Sequence, residues 1–242
     1  MPLESKTSYD CWLQYQPVQD EALLGHYLAW CAHLMMQESS ELLRTAQAEL
    51  KRGIHALLGI SPLLGTEQTA NNSRGLLLGT LDGSMQMNAL IASDAAASLN
   101  GEGYVIRTAE HEADEAGQMI VLAGKTGKGA LYAVFHFLRL MQAGARMDAL
   151  DIIENPKNGL RMMNQWDNMD GTIERGYAGK SIFYHDNQIA ADMERIRDYA
   201  RLMASVGLNA ISINNVNVHQ HETKLITEAY LPKVAAIAEE LR

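Results

Sequence analysis

Cysteine is scarce in this 242-residue chain, where Cys11 and Cys31 are the only two. Two cysteines cannot build a disulfide framework, and their spacing is not that of a zinc site, so both read as buried thiols with no metal role. Positive charge is also short, with 20 Lys and Arg against 29 Asp and Glu and a net charge of −9. This argues against a nucleic-acid partner, because counterion release there needs clustered cations. Apolar runs stay well below the roughly 18 residues of a membrane span, which removes a membrane partner from the expectations. The start Met1-Pro2-Leu3-Glu4-Ser5-Lys6 lacks the basic stretch and apolar core of a signal peptide, so a cytoplasmic location is expected.

Two catalytic motifs are missing as well. No Gly-x-Ser-x-Gly elbow occurs, so a serine nucleophile finds no support. The glycine-rich run Gly124-Lys125-Thr126-Gly127-Lys128-Gly129 continues into Ala130 and Leu131, without the Lys and hydroxyl of a phosphate loop. It reads as a strand-to-helix turn, and no cofactor is implied.

What remains is ordinary globular composition, 47% hydrophobic and 20% charged. Trp12 to Val18 alternates like a short strand, and Glu21 to Met36 has helical spacing. A second helix, Ser40 to Leu58, has a serine cap and Gly59 as its stop. Ile60 to Ser73 reads as a loop, Gly75 to Leu81 as a strand and Ser84 to Leu99 as a helix. Gly103 to Thr108 and Gln118 to Ala123 suit an antiparallel pair before a helix from Ala130 to Gln142. The first domain, residues 1–150, is therefore expected to be a small α/β layer on a mixed sheet. The break at Asn155-Pro156-Lys157 puts the boundary near Asp151.

Residues 151–242 have another rhythm: strand Leu160 to Trp166, helix Asn187 to Val206, strand Asn209 to Ile213, helix Thr227 to Leu241. This is the repeat of parallel α/β units. A closed barrel of such units needs eight strands and roughly 250 residues, so the expectation is the first two βα units of an incomplete (β/α)8 TIM barrel, in a chain excerpted from a longer one. Reacting groups in such barrels lie at the C-terminal strand ends. There the chain places Trp166, Asp167, Asn168, Asp170, Glu174, Arg175, Tyr177 and Lys180, and then Asn214, Asn215, Asn217, His219 and His221. Amides and carboxylates bond sugar hydroxyls, and aromatic faces pack on pyranose rings. Asp167, Asp170 and Glu174 invite a glycosidase reading. The simpler reading pairs Asp167 and Glu174 with Arg175 or Arg161 to shape the loop. His219-Gln220-His221-Glu222 has no third ligand and reads as a sugar-contacting or solvated loop.

The run from Gly159 to Phe183, centred on Asn164-Gln165-Trp166-Asp167-Asn168, resembles glycoside hydrolase family 67, the α-glucuronidases of xylan breakdown. Tyr9-Asp10-Cys11-Trp12-Leu13, the stretch Gly124 to Arg139, and Gly207 to Asn217 extend the likeness across the chain. The resemblance implies an N-terminal α/β domain followed by the opening of a catalytic barrel. The implied activity is inverting removal of (4-O-methyl-)D-glucuronic acid from xylo-oligosaccharides. Glucuronic-acid-substituted xylo-oligosaccharides are then the expected partners, with a homodimer kept as an option for the full-length protein. The implied substrate-binding residues are Trp166, Asp167, Asn168, Glu174, Arg175, Asn214, Asn215 and Asn217. The acid and base would come from later strands, so no residue here takes a catalytic role and the chain alone would be inactive. The rival expectation is a non-catalytic carbohydrate-binding or structural domain.

Overall fold

A computed structural model describes residues 11–36, 39–65, 74–81, 85–91, 93–110, 117–213 and 220–242. The chain divides into two compact units, one of residues 15–157 and the other of residues 1–14 with 158–242.

The first unit is a six-stranded mixed sheet between helical layers. Its strands are β1 (His33–Met36), β2 (Leu63–Gly65), β3 (Gly75–Thr80), β4 (Tyr104–Glu110), β5 (Gln118–Gly124) and β6 (Asp151–Glu154), in the order β2-β1-β3-β5-β4-β6. β2, β1, β3 and β5 run parallel, while β4 is antiparallel to both β5 and β6. Strand alternation sorts the core into two faces. Leu76, Leu78, Ile106, Ile120 and Leu122 pack with α1 (Glu21–Cys31), α2 (Glu41–Leu58) and α5 (Gly127–Gln142). Leu77, Val105, Met119, Val121 and Ala123 pack with residues of α3 (Met85–Leu90) and α4 (Ser93–Ser98).

Local chemistry sets the element ends. Asp20 caps α1 by accepting from Leu23 N at 2.8 Å, and Ser40 caps α2 by accepting from Leu43 N at 3.2 Å. Gly59 ends α2 at φ +72°, a left-handed conformation that favours glycine. The Gly124–Gly129 run is the turn from β5 into α5, and packing accounts for its glycines. A Cβ on Gly124 would lie 2.0 Å from Ala130 N, and one on Gly129 would lie 2.3 Å from the Gly103 carbonyl oxygen.

Several expectations are corrected. The helix expected through Met36 stops at Cys31, because His33–Met36 is a strand whose Leu34 and Met35 are buried on opposite sheet faces. Residues 12–18 form a turn and irregular chain instead of a strand, and the expected 84–99 helix is broken into α3 and α4. The boundary expected at Asp151 moves beyond Lys157, since β6 pairs with β4 as a sheet edge and Arg107 binds Asp151 at 2.6 Å.

In the second unit, β7 (Met162–Asn164) pairs in parallel with β10 (Ala210–Ser212). Between them lie a long loop, the hairpin β8 (Tyr184–His185) and β9 (Gln188–Ile189), and α6 (Met193–Ser205). Asp186 and Asn187, both at positive φ, make the hairpin turn where a helix was expected, and the helix starts only after the Asp192 cap. A 3₁₀ turn (Glu222–Ile226) and α7 (Leu231–Leu241) follow β10. Met169, Phe183, Tyr184, Ile196, Tyr199, Met203 and Ile237 form the core. Arg197 grips Glu240 with two 2.7 Å bonds and ties α6 to α7. Among the described residues β7 and β10 pair only with each other, and Leu160, Met162 and Met163 are exposed.

Candidate functional site

The polar loop after β7 is built as a tight hairpin. Asn168 N donates to the Thr172 carbonyl at 2.9 Å and Glu174 N to the Trp166 carbonyl at 2.8 Å. Gly171 turns the chain at φ +93°, where a Cβ would stand 3.2 Å from the Tyr184 carbonyl oxygen. Asp170 Oδ1 accepts from both the amide (2.8 Å) and hydroxyl (2.7 Å) of Thr172. The Asn168 side chain reaches across the hairpin, donating to Thr172 Oγ1 at 2.9 Å and to the Glu174 carbonyl at 2.8 Å. The second bond fixes Glu174, a non-glycine residue at φ +60°.

Beneath the hairpin lies a buried polar layer. Asp167, 1% exposed, accepts from the Ser181 hydroxyl through Oδ2, and Oδ1 has no hydrogen-bond partner. Ser181 Oγ in turn accepts from the amides of Phe183 and Tyr184, each at 3.0 Å. Burial pushes the Asp167 carboxyl above its ordinary value, and the Ser181 bond only partly offsets that. Glu222, 5% exposed, accepts from Met169 N at 3.0 Å through Oε1, while Oε2 has no partner. The bond joins the loop after β10 to the loop after β7. Tyr184 is buried, and burial followed by the Asp167 and Glu222 charges pushes its hydroxyl upward.

Above this layer opens a cleft of about 410 Å³. Asn168, Asp170, Thr172, Glu174, Arg175 and Gly176 line it from the first loop, with Asn187 from the β8–β9 turn and His221 and Glu222 from the second loop. Of the residues expected to bind substrate, Asn168, Glu174 and Arg175 thus come together here. Trp166 is half-buried and Asp167 buried, and neither lines the cleft. Asn214, Asn215 and Asn217, with His219, lie outside the described residues. The expected pairing of Asp167 with an arginine is replaced by its bond to Ser181. Arg161 donates instead to the carbonyls of Gly207 (2.5 Å) and Asn158 (2.6 Å), which holds the start of β7. Tyr177 follows the cleft-lining Gly176 and is exposed, with its hydroxyl bound to the Glu174 carboxylate and drawn upward in pKa by that bond. Asp170, Thr172, Asn187 and Glu222 were not among the expected binding residues. The sequence signal for Glu222 was its place in the run His219-Gln220-His221-Glu222, read as a sugar-contacting or solvated loop.

The loops after β7 and β10 thus gather amides, carboxylates and one arginine into an open cleft. Residues 11–137 match the N-terminus of glycosyl hydrolase family 67, and residues 140–242 match its middle domain. The chain belongs to glycosyl hydrolase family 67. It is 33% identical over 239 residues to a probable alpha-glucuronidase A of Aspergillus oryzae, covering 98% of this chain and 27% of that protein. It is 30% identical over 252 residues to an alpha-glucuronidase of Hypocrea jecorina, covering 100% of this chain and 28% of that one. The chain thus spans about a quarter of the length of these relatives. Among solved structures, a family GH115 4-O-methyl-alpha-glucuronidase with specificity for decorated arabinogalactans superposes with a TM-score of 0.55 at 13% identity. That match covers 85% of this chain and 27% of the other, a likeness of fold.

Proposed function

We propose that this chain supplies the N-terminal α/β domain and the first two βα units of a (β/α)8 barrel in an inverting α-glucuronidase. The enzyme removes (4-O-methyl-)D-glucuronic acid from xylo-oligosaccharides, with the acid and base carried by later strands. The observation that carries the reading is the cleft at the end of β7, where Arg175 lies among Asn168, Glu174 and Asn187. A guanidinium offers a carboxylate two parallel donors, and side-chain amides bond ring hydroxyls. The names of the family-67 relatives and the parallel β7–α6–β10–α7 order support it. So do the unpaired edges of β7 and β10 among the described residues, where further barrel strands would add. A cytoplasmic location and a homodimer belong to the same proposal.

Assay of the 242-residue chain and of a protein as long as the relatives on aldouronic acids tests it. The longer protein should release glucuronic acid and the chain alone should not, and a silent longer protein would refute the assignment. Arg175→Ala in that protein should weaken a uronate about tenfold more than its neutral analogue, the size of one lost charge-assisted contact. Equal losses for both ligands would count against a carboxylate contact.

A further inference from the structure

The aromatic side chains of the described residues are all buried or half-buried except one, Tyr177, which is 75% exposed. A lone exposed aromatic usually needs no explanation. This one is held in place. Its hydroxyl bonds the carboxylate of Glu174. Glu174 itself is locked at φ +60° by the Asn168 amide on its carbonyl and by its own amide on Trp166. Gly176 and Gly179, at φ +91° and +113°, turn the chain just before and after Tyr177 in sequence. Glu174, Arg175 and Gly176 line the cleft, while Tyr177, next along the chain, stands outside that lining.

We propose that Tyr177 is an outer platform at the cleft rim, stacking on the neutral pyranose attached to the sugar that occupies the cleft. The inference rests on the uronate reading of the cleft and adds a second subsite to it. A cleft of about 410 Å³ is at the small end of ligand sites, so a ligand longer than a sugar or two must run out over the rim. There an aromatic face with a tethered hydroxyl presents an apolar surface to pyranose C–H groups at little entropic cost. Tyr177 would thus act as a specificity determinant, favouring a substituted oligosaccharide over the free uronic acid.

The test is titration of the longer protein and its Tyr177→Ala and Tyr177→Phe variants with glucuronic acid, an uncleavable sulfur-linked glucuronosyl-xylose disaccharide and xylobiose, followed by NMR. Tyr177→Ala should weaken the disaccharide about tenfold and glucuronic acid less than about twofold, with Tyr177→Phe keeping most of the affinity. The xylose C–H protons should shift upfield on the parent protein and lose that shift with Tyr177→Ala, which a merely structural role would not produce. If glucuronic acid binds but Tyr177→Ala leaves the disaccharide unchanged, or weakens both equally, the platform is refuted and the uronate reading stands. If xylobiose binds in a Tyr177-dependent way and glucuronic acid does not, the platform stands and the uronate reading falls. Binding of none of the three refutes both.

Discussion

Removing the Glu222 carboxylate should open the loop after β7 without unfolding the protein. Met169 is fully buried, and its amide has Glu222 Oε1 as acceptor at 3.0 Å. Glu222→Ala orphans that N–H, at about 1–3 kcal/mol, and deletes one buried methylene at about 0.8 kcal/mol. The sum centres on about 3 kcal/mol, or about a hundredfold in a local opening equilibrium. Glu222→Gln keeps an oxygen for the amide and removes a buried charge whose Oε2 has no partner. It should therefore stay within about 1 kcal/mol of the parent. Amide hydrogen exchange at Met169, read residue by residue, separates the two. Exchange about a hundredfold faster in the alanine variant and near-parental in the glutamine variant is the expected result. Equal acceleration in both would show that the charge, not the acceptor, holds the loop. No acceleration in the alanine variant would refute the bond's role altogether.

Two further outcomes follow from the geometry. Gly129→Ala forces a Cβ against backbone at 2.3 Å, where nothing can yield cheaply, and should cost the first unit at least about 3 kcal/mol in urea unfolding. Unchanged stability would remove the packing account of that turn. Asp167 has a folded-state pKa above its ordinary 3.8, so it binds its proton more tightly folded than unfolded. Its contribution to stability is then fullest below that value and is lost as pH rises through the higher folded value. Asp167→Asn should flatten this part of the stability–pH curve of the second unit, and an unchanged slope would assign it to other groups.

Legibility followed range. α2 was readable from one window, because a serine cap, a helical apolar stripe and Gly59 lie within it. The βαβα order of the second unit was readable for the same reason. β1 was not, since four residues directly after α1 continue its apolar spacing and only pairing with β2 and β3 makes them a strand. β6 was assigned to the wrong unit because its partner β4 lies far back in the sequence. In the site, Asn168, Glu174 and Arg175 stood out as a polar cluster at a strand end. Glu222 did not, because its role is to meet a backbone amide 53 residues earlier. Asp167 read as an acid paired with an arginine, whereas its partner is the Ser181 hydroxyl and the packing around it places it inside.

The second unit takes residues from both sides of the first. Trp12 sits 5.4 Å from Tyr199, ring centre to ring centre, and Arg195 lies over its face at 5.9 Å. On the ribosome, Trp12 emerges early and its partners only after the whole of residues 15–157 has been made. The first unit can complete its fold in that interval, while the tryptophan must wait for α6. Recombinant versions trimmed to begin at residue 15 would leave the first unit whole. They would strip an aromatic lid from α6, so the earliest stretch of the chain is the last piece of the second unit to find its place.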